Sequence, residues 1–489
     1  MALTREELPL KLAADARAGD GPADWGLAQA AAKLREGRID AEAYVVALLE
    51  RCTARADLNA FATLDAQALL AGARAADLAR QQGRHLGPLH GLPIALKDNI
   101  GTERWPTSAG TAALRAWRPL ADATITQRLV QAGALLGAKT TMHELAMGWT
   151  GQNAAFGDTL NPHDPSRMAG GSSGGGACAV AAGMVPGAIG TDTNGSVRVP
   201  SAFCGSVGFR PTQGRYPMTG IVPLAPSLDT LGPMARSVAD VALLDAVMAG
   251  VAPQPLALRA PALLRVGVCG PWFWERLDDD VAQAAAEALS QLERAGVQCV
   301  HFEWPELPAL VEEAAAAVIG YEAIPALATY LQGHAGAPSL AQVFGEAGSD
   351  LSLAIDVASA SRDAAAYHAA MARRVQLRRL WAACFRQHRL DALIHAAVRV
   401  TAPPLGAERI SPGPDVWTRW GAMPARTAFA QNVTPASLVG APSLVLPARL
   451  AAGRLPVGLQ LDGLPGNDRA LLSVATAIEH VWRTGVAAR

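Results

Sequence analysis

The feature that most constrains the fold of this chain is an alternation of short apolar segments with helical ones, which begins at residue 92. LPIAL, GALLGAK and VPGAIG predict strands, and the segments ATITQRLVQAG and GGACAVAAG between them predict helices. The same alternation returns over residues 264–304. Strands that alternate with helices are typical of a layered α/β domain, in which helices cover a sheet.

The segments outside this alternation are mainly helical. Residues 26–83 predict helices, with Asp40 as a candidate N-cap. Residues 306–390 are rich in alanine and predict further helices, including a long one over residues 363–387. Two strands joined by a polar turn and a last helix are predicted over residues 441–482.

No repeat or low-complexity linker divides the 489 residues into separate units. We therefore expect one large domain over residues 61–489, with an N-terminal helical segment over residues 1–60 packed on its core. Within that domain, residues 306–440 or thereabouts are expected to form a helical insertion that covers the pocket.

The charges of the chain balance, with 42 lysine and arginine residues against 43 aspartate and glutamate residues. Proteins that bind nucleic acid usually carry a basic patch or stripe, so we expect no nucleic-acid partner. A small neutral molecule is the expected partner, and the chain is expected to be a monomer or a homodimer.

The N-terminus and the cysteines indicate the compartment. Residues 1–21 lack the basic start and apolar run of a signal peptide, and the most apolar stretch, residues 177–190, is too short to span a bilayer. The six cysteines are scattered, with no Cys-x-x-Cys pair that would indicate zinc or a redox motif. We expect a cytoplasmic protein with reduced thiols, no membrane association, no metal and no cofactor.

Lysine is scarce, which makes each lysine a candidate for a role that arginine cannot fill. Only four of the 42 basic residues are lysines. Lys97 follows an apolar run and is expected at the end of a buried strand, where burial lowers the lysine pKa and yields a neutral amine that can act as a base. The alternative is a surface pair between Lys97 and Asp98. Lys139 has no serine partners and is expected to be structural.

The loop GGSSGGG matches the G-x-S-x-G pattern twice, once with Ser172 and once with Ser173 in the middle. In a nucleophile elbow that pattern follows a strand, but here LNPHDPSRMAGG precedes it, a loop rich in proline, glycine and aspartate. No Gly-Lys-Ser/Thr follows, so the loop is not a phosphate-binding loop either. A flexible surface turn remains the alternative at this point.

A second segment, GTDTNGSVRVPSAFCG, places a tight polar turn between a predicted strand and a short helix. Successive backbone amides in such a turn can point into one concavity and form an oxyanion hole. Ser196 follows the turn at the position of an attacking oxygen. Asp192 and Arg198 flank the turn and are expected to brace it, and Cys204 is expected to be a packed thiol.

These two segments belong to one pattern, GGSSGGGACAVAAGMVPGAIGTDTNGSVRVPSAFCGSVGFRPT, that resembles the amidase signature family. GLPIALKDNI upstream and LPVGLQLDG downstream extend the resemblance over most of residues 90–485. It implies an α/β fold with a large mixed β-sheet core sandwiched between helices and a helical insertion near the active site.

Enzymes of this family use a Ser-Ser-Lys triad, whose motif positions fall on Ser196 as nucleophile, Ser172 as bridging serine and Lys97 as base. The resemblance also implies a cis peptide bond between Gly171 and Ser172 and a structural role for Ser173. The backbone amides implied to form the oxyanion hole are those of Thr193, Asn194, Gly195 and Ser196. Asn194 departs from the usual glycine.

The segment after the turn, GFRPTQGRYPMTGIVPLAPSLDTLGPMARSVADVALLD, looks most like the branch with indoleacetamide and mandelamide hydrolases, whose relatives cleave aryl amides and carbamates. Trp417 and Trp420 are candidates to cap the substrate pocket. The residues expected to line it, each of which would otherwise belong to the core, are Met147, Gly148, Trp149, Met218 and Ile221.

The resemblance implies a serine hydrolase that cleaves the C–N bond of small neutral aryl or arylalkyl amides or carbamates (urethanes) through an acyl-enzyme on Ser196. The alternative is a glutamine-dependent amidotransferase subunit that works on misacylated tRNA. Such subunits usually carry a glutamine after the nucleophile, where this chain has Val199, and the balanced charge offers no tRNA surface. A non-catalytic relative would have lost a triad residue, whereas all three are present.

Overall fold

The strands of the fold form one large sheet and one small one. The computed structural model describes residues 21–84, 86–348, 362–406, 415–418, 421–448 and 455–484. Within them, the strands in chain order are β1 (Phe61–Leu64), β2 (Ile94–Lys97), β3 (Ala138–Thr140), β4 (Gly187–Asp192), β5 (Val207–Arg210), β6 (Thr230–Ala235), β7 (Arg265–Gly270), β8 (Gln298–Glu303), β9 (Ala392–Ala396), β10 (Asp415–Thr418), β11 (Gly421–Pro424), β12 (Ser443–Pro447) and β13 (Gly458–Asp462).

The large sheet has 11 strands in the order β1-β3-β2-β4-β6-β5-β12-β13-β9-β7-β8. It is mixed, because β3, β2 and β4 run parallel to one another, as do β9, β7 and β8, while the strands between these two groups pair antiparallel. The hairpin of β10 and β11 forms the small sheet. The predicted α/β class with a large mixed sheet is confirmed.

Helices surround the large sheet. In chain order they are α1 (Leu27–Arg35), α2 (Ala41–Ala54), α3 (Ala66–Gln81), α4 (Thr124–Gln131), α5 (Gly174–Ala181), α6 (Arg198–Cys204), α7 (Val238–Ala249), α8 (Asp279–Arg294), α9 (Leu307–Val311), α10 (Ala314–Gln332), α11 (Leu340–Gly345), α12 (Ala364–His388), α13 (Thr434–Val439) and α14 (Asp468–Thr484).

Strand β2 shows how the sheet divides the core. Successive side chains of a strand point to opposite faces. Leu96 packs into the core that α1, α2 and α7 share, whereas Ala95 packs into a second core together with Ala177 and Cys178 of α5. The same alternation places Lys97 on the side of the sheet that α5 covers.

Most predicted strands and helices are present, but six strands were not predicted: β1, β5, β6, β9, β10 and β11. β1 lies inside the segment predicted to be helical, and β5 and β6 follow the polar turn without a clear pattern of their own. β9, β10 and β11 fall within residues 306–440, so this segment is not a helical insertion throughout. β9 pairs with β13 and β7 in the large sheet, and β10 pairs with β11. These strands are four to six residues long, too short for periodicity to identify them.

Two further sequence expectations are only partly met. Asp40 does occupy the N-cap position of α2, but its side chain accepts a hydrogen bond from Arg80 at 2.7 Å instead of capping the helix. Residues 1–20 lie outside the described part, and the predicted division between residues 1–60 and 61–489 stays a prediction.

One apolar stretch was missed in the sequence. Leu307–Gln332 is long and apolar enough to span a membrane by length and composition alone. Val318 and Leu327, on its α10 part, are buried in hydrophobic cores of the protein. Because the core helix of a globular protein meets the same criterion, this stretch does not by itself indicate a membrane span.

Candidate active site

The site lies at one edge of the large sheet, where β2 and β4 end. Because these neighbouring strands are parallel, their carboxyl ends meet at the same edge. Lys97 is the last residue of β2, and the polar turn that leads to Ser196 follows β4 directly. Ser172 lies just before α5, which packs against both strands. Three segments far apart in the sequence are thereby brought together.

Lys97 is completely buried and points at Ser172. Its Nζ lies 2.7 Å from Ser172 Oγ and 2.7 Å from Thr191 Oγ1. Burial disfavours the ammonium form and lowers the pKa of Lys97 to about 7, against the opposing effect of the Asp192 and Asp229 carboxylates. A substantial fraction of Lys97 is therefore in the neutral amine form near neutral pH, as the sequence predicted.

The alternative surface pair between Lys97 and Asp98 does not form. Asp98 is buried and instead forms an ion pair with Lys139, whose Nζ lies 2.9 Å from Asp98 Oδ1. Lys139 also donates hydrogen bonds to Thr102, Thr107 and the Pro106 carbonyl. Lys139 is thus structural, as expected.

Two residues that the sequence analysis passed over hold Lys97 in place. Thr191 Oγ1 accepts a hydrogen bond from Lys97 Nζ and a second one from Asn99 Nδ2 at 3.2 Å. Asn99 Nδ2 in turn lies 3.3 Å from the carbonyl of Val222. The signal was present, since Asn99 follows Lys97 within GLPIALKDNI and Thr191 opens the polar turn.

The serine loop is joined to the turn through its backbone. The peptide bond between Gly171 and Ser172 is cis, as predicted. Ser173 N donates to the Ser196 carbonyl at 3.0 Å, and Ser173 Oγ donates to the Thr191 carbonyl at 3.2 Å. The structural role predicted for Ser173 is confirmed, because it ties the Ser172 loop to the segment that carries Ser196.

Asp192 organises the turn from inside. Its carboxylate accepts hydrogen bonds from the amides of Gly195 at 2.8 Å and Val197 at 3.1 Å, and forms ion pairs with Arg198 and Arg210, all fully or almost fully buried. Burial alone would raise the pKa of Asp192, but the two guanidinium charges hold it below its ordinary value. Asp192 and Arg198 brace the turn, as expected.

This bracing network is expected to contribute strongly to stability. Replacing Arg198 with Met should lower the free energy of unfolding by about 3–5 kcal/mol, because it removes one cation from a buried carboxylate. Urea unfolding followed by circular dichroism measures the change. The matched control is Arg74→Met, which removes an exposed pair with Glu42 and should cost less than about 1 kcal/mol. Equal losses in the two variants would contradict the assignment.

The geometry corrects one of the four residues expected in the oxyanion hole. The Gly195 amide is already bonded to Asp192 and is not free to bind an oxyanion. The amides of Thr193, Asn194 and Ser196 have no acceptor among the described residues. Gly195 instead supplies backbone freedom, since its φ is +102° and a Cβ there would lie 2.7 Å from the side chain of Val433.

A cavity of about 690 Å³ opens onto Ser196. Met147, Gly148 and Trp149 line it, as the sequence analysis expected, and so do Thr193 and Asn194. The other residues that line it are Ala146, Ser196, Leu224, Glu313, Ala316, Ala317, Ile319, Gly320, Ala366 and Arg426.

Two of the predicted pocket residues are not in this cavity. Met218 and Ile221 pack against the main hydrophobic core, and the loop that carries them reaches the cavity only at Leu224. The side chains of Trp417 and Trp420, expected to cap the pocket, lie outside the part of the chain that the structure describes.

The charges around the cavity cancel locally. Glu313 and Arg426 are the charged residues among its described lining. They form a bidentate ion pair with N–O distances of 2.5 and 2.8 Å. Neither charge is therefore free to pair with a charged substrate without breaking this contact. Among the described residues no group of three or more His, Cys, Asp or Glu side chains could hold a metal ion.

The mixed sheet with a buried lysine and two serines at one edge defines the class of the protein, a hydrolytic enzyme of α/β architecture. The chain belongs to the amidase family, whose model, described as amidase, matches residues 43–472.

The relatives support the branch expected from the sequence. An indoleacetamide hydrolase from Agrobacterium vitis is 39% identical, covering 93% of this chain and 96% of that protein. A mandelamide hydrolase from Pseudomonas putida is 37% identical, covering 94% and 92%. A solved amidase structure is 35% identical with a TM-score of 0.83, covering 93% of this chain and 99% of that one. The protein is thus an amidase, a hydrolase that acts on carbon–nitrogen bonds other than peptide bonds.

The similarity also extends to amidotransferases. A glutamyl-tRNA(Gln) amidotransferase component from Chloroflexus aurantiacus is 37% identical, covering 93% of this chain and 96% of that protein. Overall sequence identity is therefore similar for the hydrolases and the amidotransferase component and does not distinguish hydrolysis from amidotransfer.

Proposed function

We propose that this amidase hydrolyses small neutral aryl or arylalkyl amides and carbamates through an acyl-enzyme on Ser196. The observation that carries the proposal is the buried amine of Lys97, with a pKa lowered to about 7, at 2.7 Å from Ser172 Oγ. A neutral amine at that distance can accept the hydroxyl proton of Ser172.

The first half of the reaction forms the acyl-enzyme. Lys97 accepts the proton of Ser172 while Ser172 accepts that of Ser196, whose Oγ attacks the substrate carbonyl carbon. The carbonyl oxygen becomes negative and receives hydrogen bonds from the free amides of the turn. Lys97 then returns the proton through Ser172 to the leaving nitrogen, and the C–N bond breaks.

The second half releases the acid. Water attacks the ester carbon on Ser196 and gives up its proton through the same relay, and Ser196 leaves with a proton returned from Lys97. An amide yields a carboxylic acid and an amine or ammonia. A carbamate cleaved at its C–N bond yields an amine and a carbonic half-ester, which loses carbon dioxide to give the alcohol. No step requires a metal or an organic cofactor.

Substrate neutrality is supported by the lining of the cavity. Apart from the paired Glu313 and Arg426, most of the lining is apolar, with Met147, Trp149 and Ile319 among it. A charged substrate group would lose its water there without gaining a counter-charge. Trp149 and Met147 offer surfaces suited to an aryl ring.

We expect the enzyme to turn over phenylacetamide with a kcat/KM at least 100-fold higher than that for glutamine, because the glutamine carboxylate and ammonium would be desolvated without partners. Ammonia release from both compounds, measured under identical conditions, checks the expectation. Benzamide and N-phenylacetamide as further substrates report which side of the amide the ring occupies. Efficient glutamine hydrolysis would contradict the proposal.

That outcome would favour the second candidate, an amidotransferase subunit. In the segment after the nucleophile, such subunits usually carry a glutamine where this chain has Val199, which is buried and packs in an apolar core with Phe203 and Phe429. We therefore infer that no polar contact to a glutamine substrate arises there.

We further propose that the enzyme acts in the cytoplasm on soluble small molecules as a monomer or homodimer, without nucleic acid or a membrane.

A further inference from the structure

Asn194 lies at the centre of the candidate site and has no role in the mechanism beyond its backbone amide. It lines the cavity that holds Ser196 and also a smaller adjoining chamber of about 130 Å³. Only 6% of Asn194 is exposed. A buried carboxamide normally finds hydrogen-bond partners, so its environment needs an explanation.

No described residue pairs with the side chain of Asn194. Its Oδ1 is buried without a hydrogen-bond partner, and no hydrogen bond from its Nδ2 reaches any residue that the structure describes. The carboxamide can both donate and accept. Leaving Oδ1 unpaired in a buried position costs folding free energy, whereas Nδ2 is not buried and is left to donate to a bound molecule.

The backbone of Asn194 cannot move easily to relieve this. Its carbonyl accepts a hydrogen bond from Trp149 Nε1 at 2.9 Å, and the next residue, Gly195, is fixed by Asp192. The side chain therefore branches from a fixed point beside the turn amides that have no acceptor among the described residues.

Apart from Ser196 and Asn194, every polar side chain that lines the Ser196 cavity in the described structure already has a partner. Thr193 Oγ1 donates to Asp229 at 2.5 Å, and Trp149 Nε1 donates to the Asn194 carbonyl. Glu313 and Arg426 pair with each other. Among the described lining residues, Asn194 is therefore the remaining side chain, besides Ser196, that can form a hydrogen bond with a polar group of a neutral substrate.

We propose that Asn194 determines substrate choice by hydrogen bonding an oxygen of the substrate that lies beside the reacting carbonyl, either the alkoxy oxygen of a carbamate or the hydroxyl of a 2-hydroxyamide. This inference rests on the proposed hydrolysis through Ser196. In either substrate this oxygen accepts a hydrogen bond from Asn194 Nδ2. Plain alkyl amides have a methylene or hydrogen at these positions and gain nothing from Asn194.

The test uses two pairs of substrates that differ only at this oxygen. Benzyl carbamate is compared with 3-phenylpropanamide, and 2-hydroxy-2-phenylacetamide with phenylacetamide. For each pair the ratio of kcat/KM, with oxygen over without, is measured in the wild type, Asn194→Ala, Asn194→Gly and the control Gln431→Ala. Gln431 lines only the smaller chamber. Taking the ratio within each variant removes general damage to the turn, and comparing that ratio between variants removes the intrinsic reactivity of the substrates.

We expect the ratio of at least one pair to fall about fivefold to tenfold in both Asn194 variants and to stay within twofold in Gln431→Ala, as loss of one hydrogen bond implies. A fall confined to the carbamate pair identifies the alkoxy oxygen, and a fall confined to the hydroxyamide pair identifies the hydroxyl. Unchanged ratios in the Asn194 variants would overturn this inference while leaving the hydrolase assignment intact. Failure of the wild type to hydrolyse any of the four compounds would overturn both.

Discussion

Replacing Ser196 with alanine is expected to lower kcat by roughly 10⁴-fold or more while the protein stays folded, because no other group is placed to form the acyl-enzyme. Ser196 is almost fully buried at the end of the turn, and its substitution removes one hydroxyl without disturbing the Asp192 network. Steady-state hydrolysis of phenylacetamide and the thermal unfolding midpoint together check the prediction.

Covalent labelling identifies the nucleophile independently of rate. An activated phosphonate or sulfonyl fluoride should label Ser196, and peptide mass spectrometry locates the label. The control is Ser173→Ala, which loses the hydrogen bond to the Thr191 carbonyl but keeps the nucleophile, and should still be labelled at Ser196. A label on Ser172 or Ser173 would overturn the assignment.

Substitution of Lys97 should be nearly as damaging with arginine as with alanine. Arginine keeps the positive charge but cannot give up its proton at working pH, so both variants should lose about 10²- to 10⁴-fold in kcat/KM near neutral pH. Thermal unfolding verifies that each variant is folded, and Lys97→Met provides a second variant of similar length without a titratable group. An arginine variant with wild-type activity would remove Lys97 from the mechanism.

The pH profile gives Lys97 a second readout. Because burial lowers its pKa to about 7 and the neutral form is the base, kcat/KM of the wild type should fall about tenfold per pH unit below pH 7 and level off above it. Asp229 is also buried near the turn and has a raised pKa. If the acidic limb of the profile persists unchanged in Lys97→Met, Asp229 or another group would be its source.

Much of the site follows from the sequence because the relevant signals are local. The apolar run before Lys97 predicted a buried strand that ends at a lysine, and β2 does end there with Lys97 fully buried. The glycine-rich loop lacked a preceding strand, which argued against a nucleophile elbow, and no strand precedes Ser172 directly in the structure. Strand and helix alternation fixed the fold class because each element buries its own apolar face.

Only the tertiary structure decided which groups are free and which are already paired. Gly195 was expected to donate to an oxyanion, but the side chain of Asp192 folds back and takes its amide. Met218 and Ile221 were expected in the pocket, but their loop turns them into the main core and presents Leu224. Apolar residues in a loop fit a core or a pocket equally well, and the sequence does not say which way the loop faces.

Sequence patterns likewise did not predict the ion pairs, hydrogen bonds and strand pairings between distant segments. Glu313 and Arg426 neutralise each other across 113 residues, and Arg198 donates to the Val433 carbonyl across 235 residues. β9 becomes a strand of the large sheet through its neighbours β13 and β7. The sequence by itself determined the chemical groups and their local supports. Packing determined their partners, because a side chain's hydrogen bonds and charges are satisfied by whatever the fold brings near, not by its neighbours in the chain.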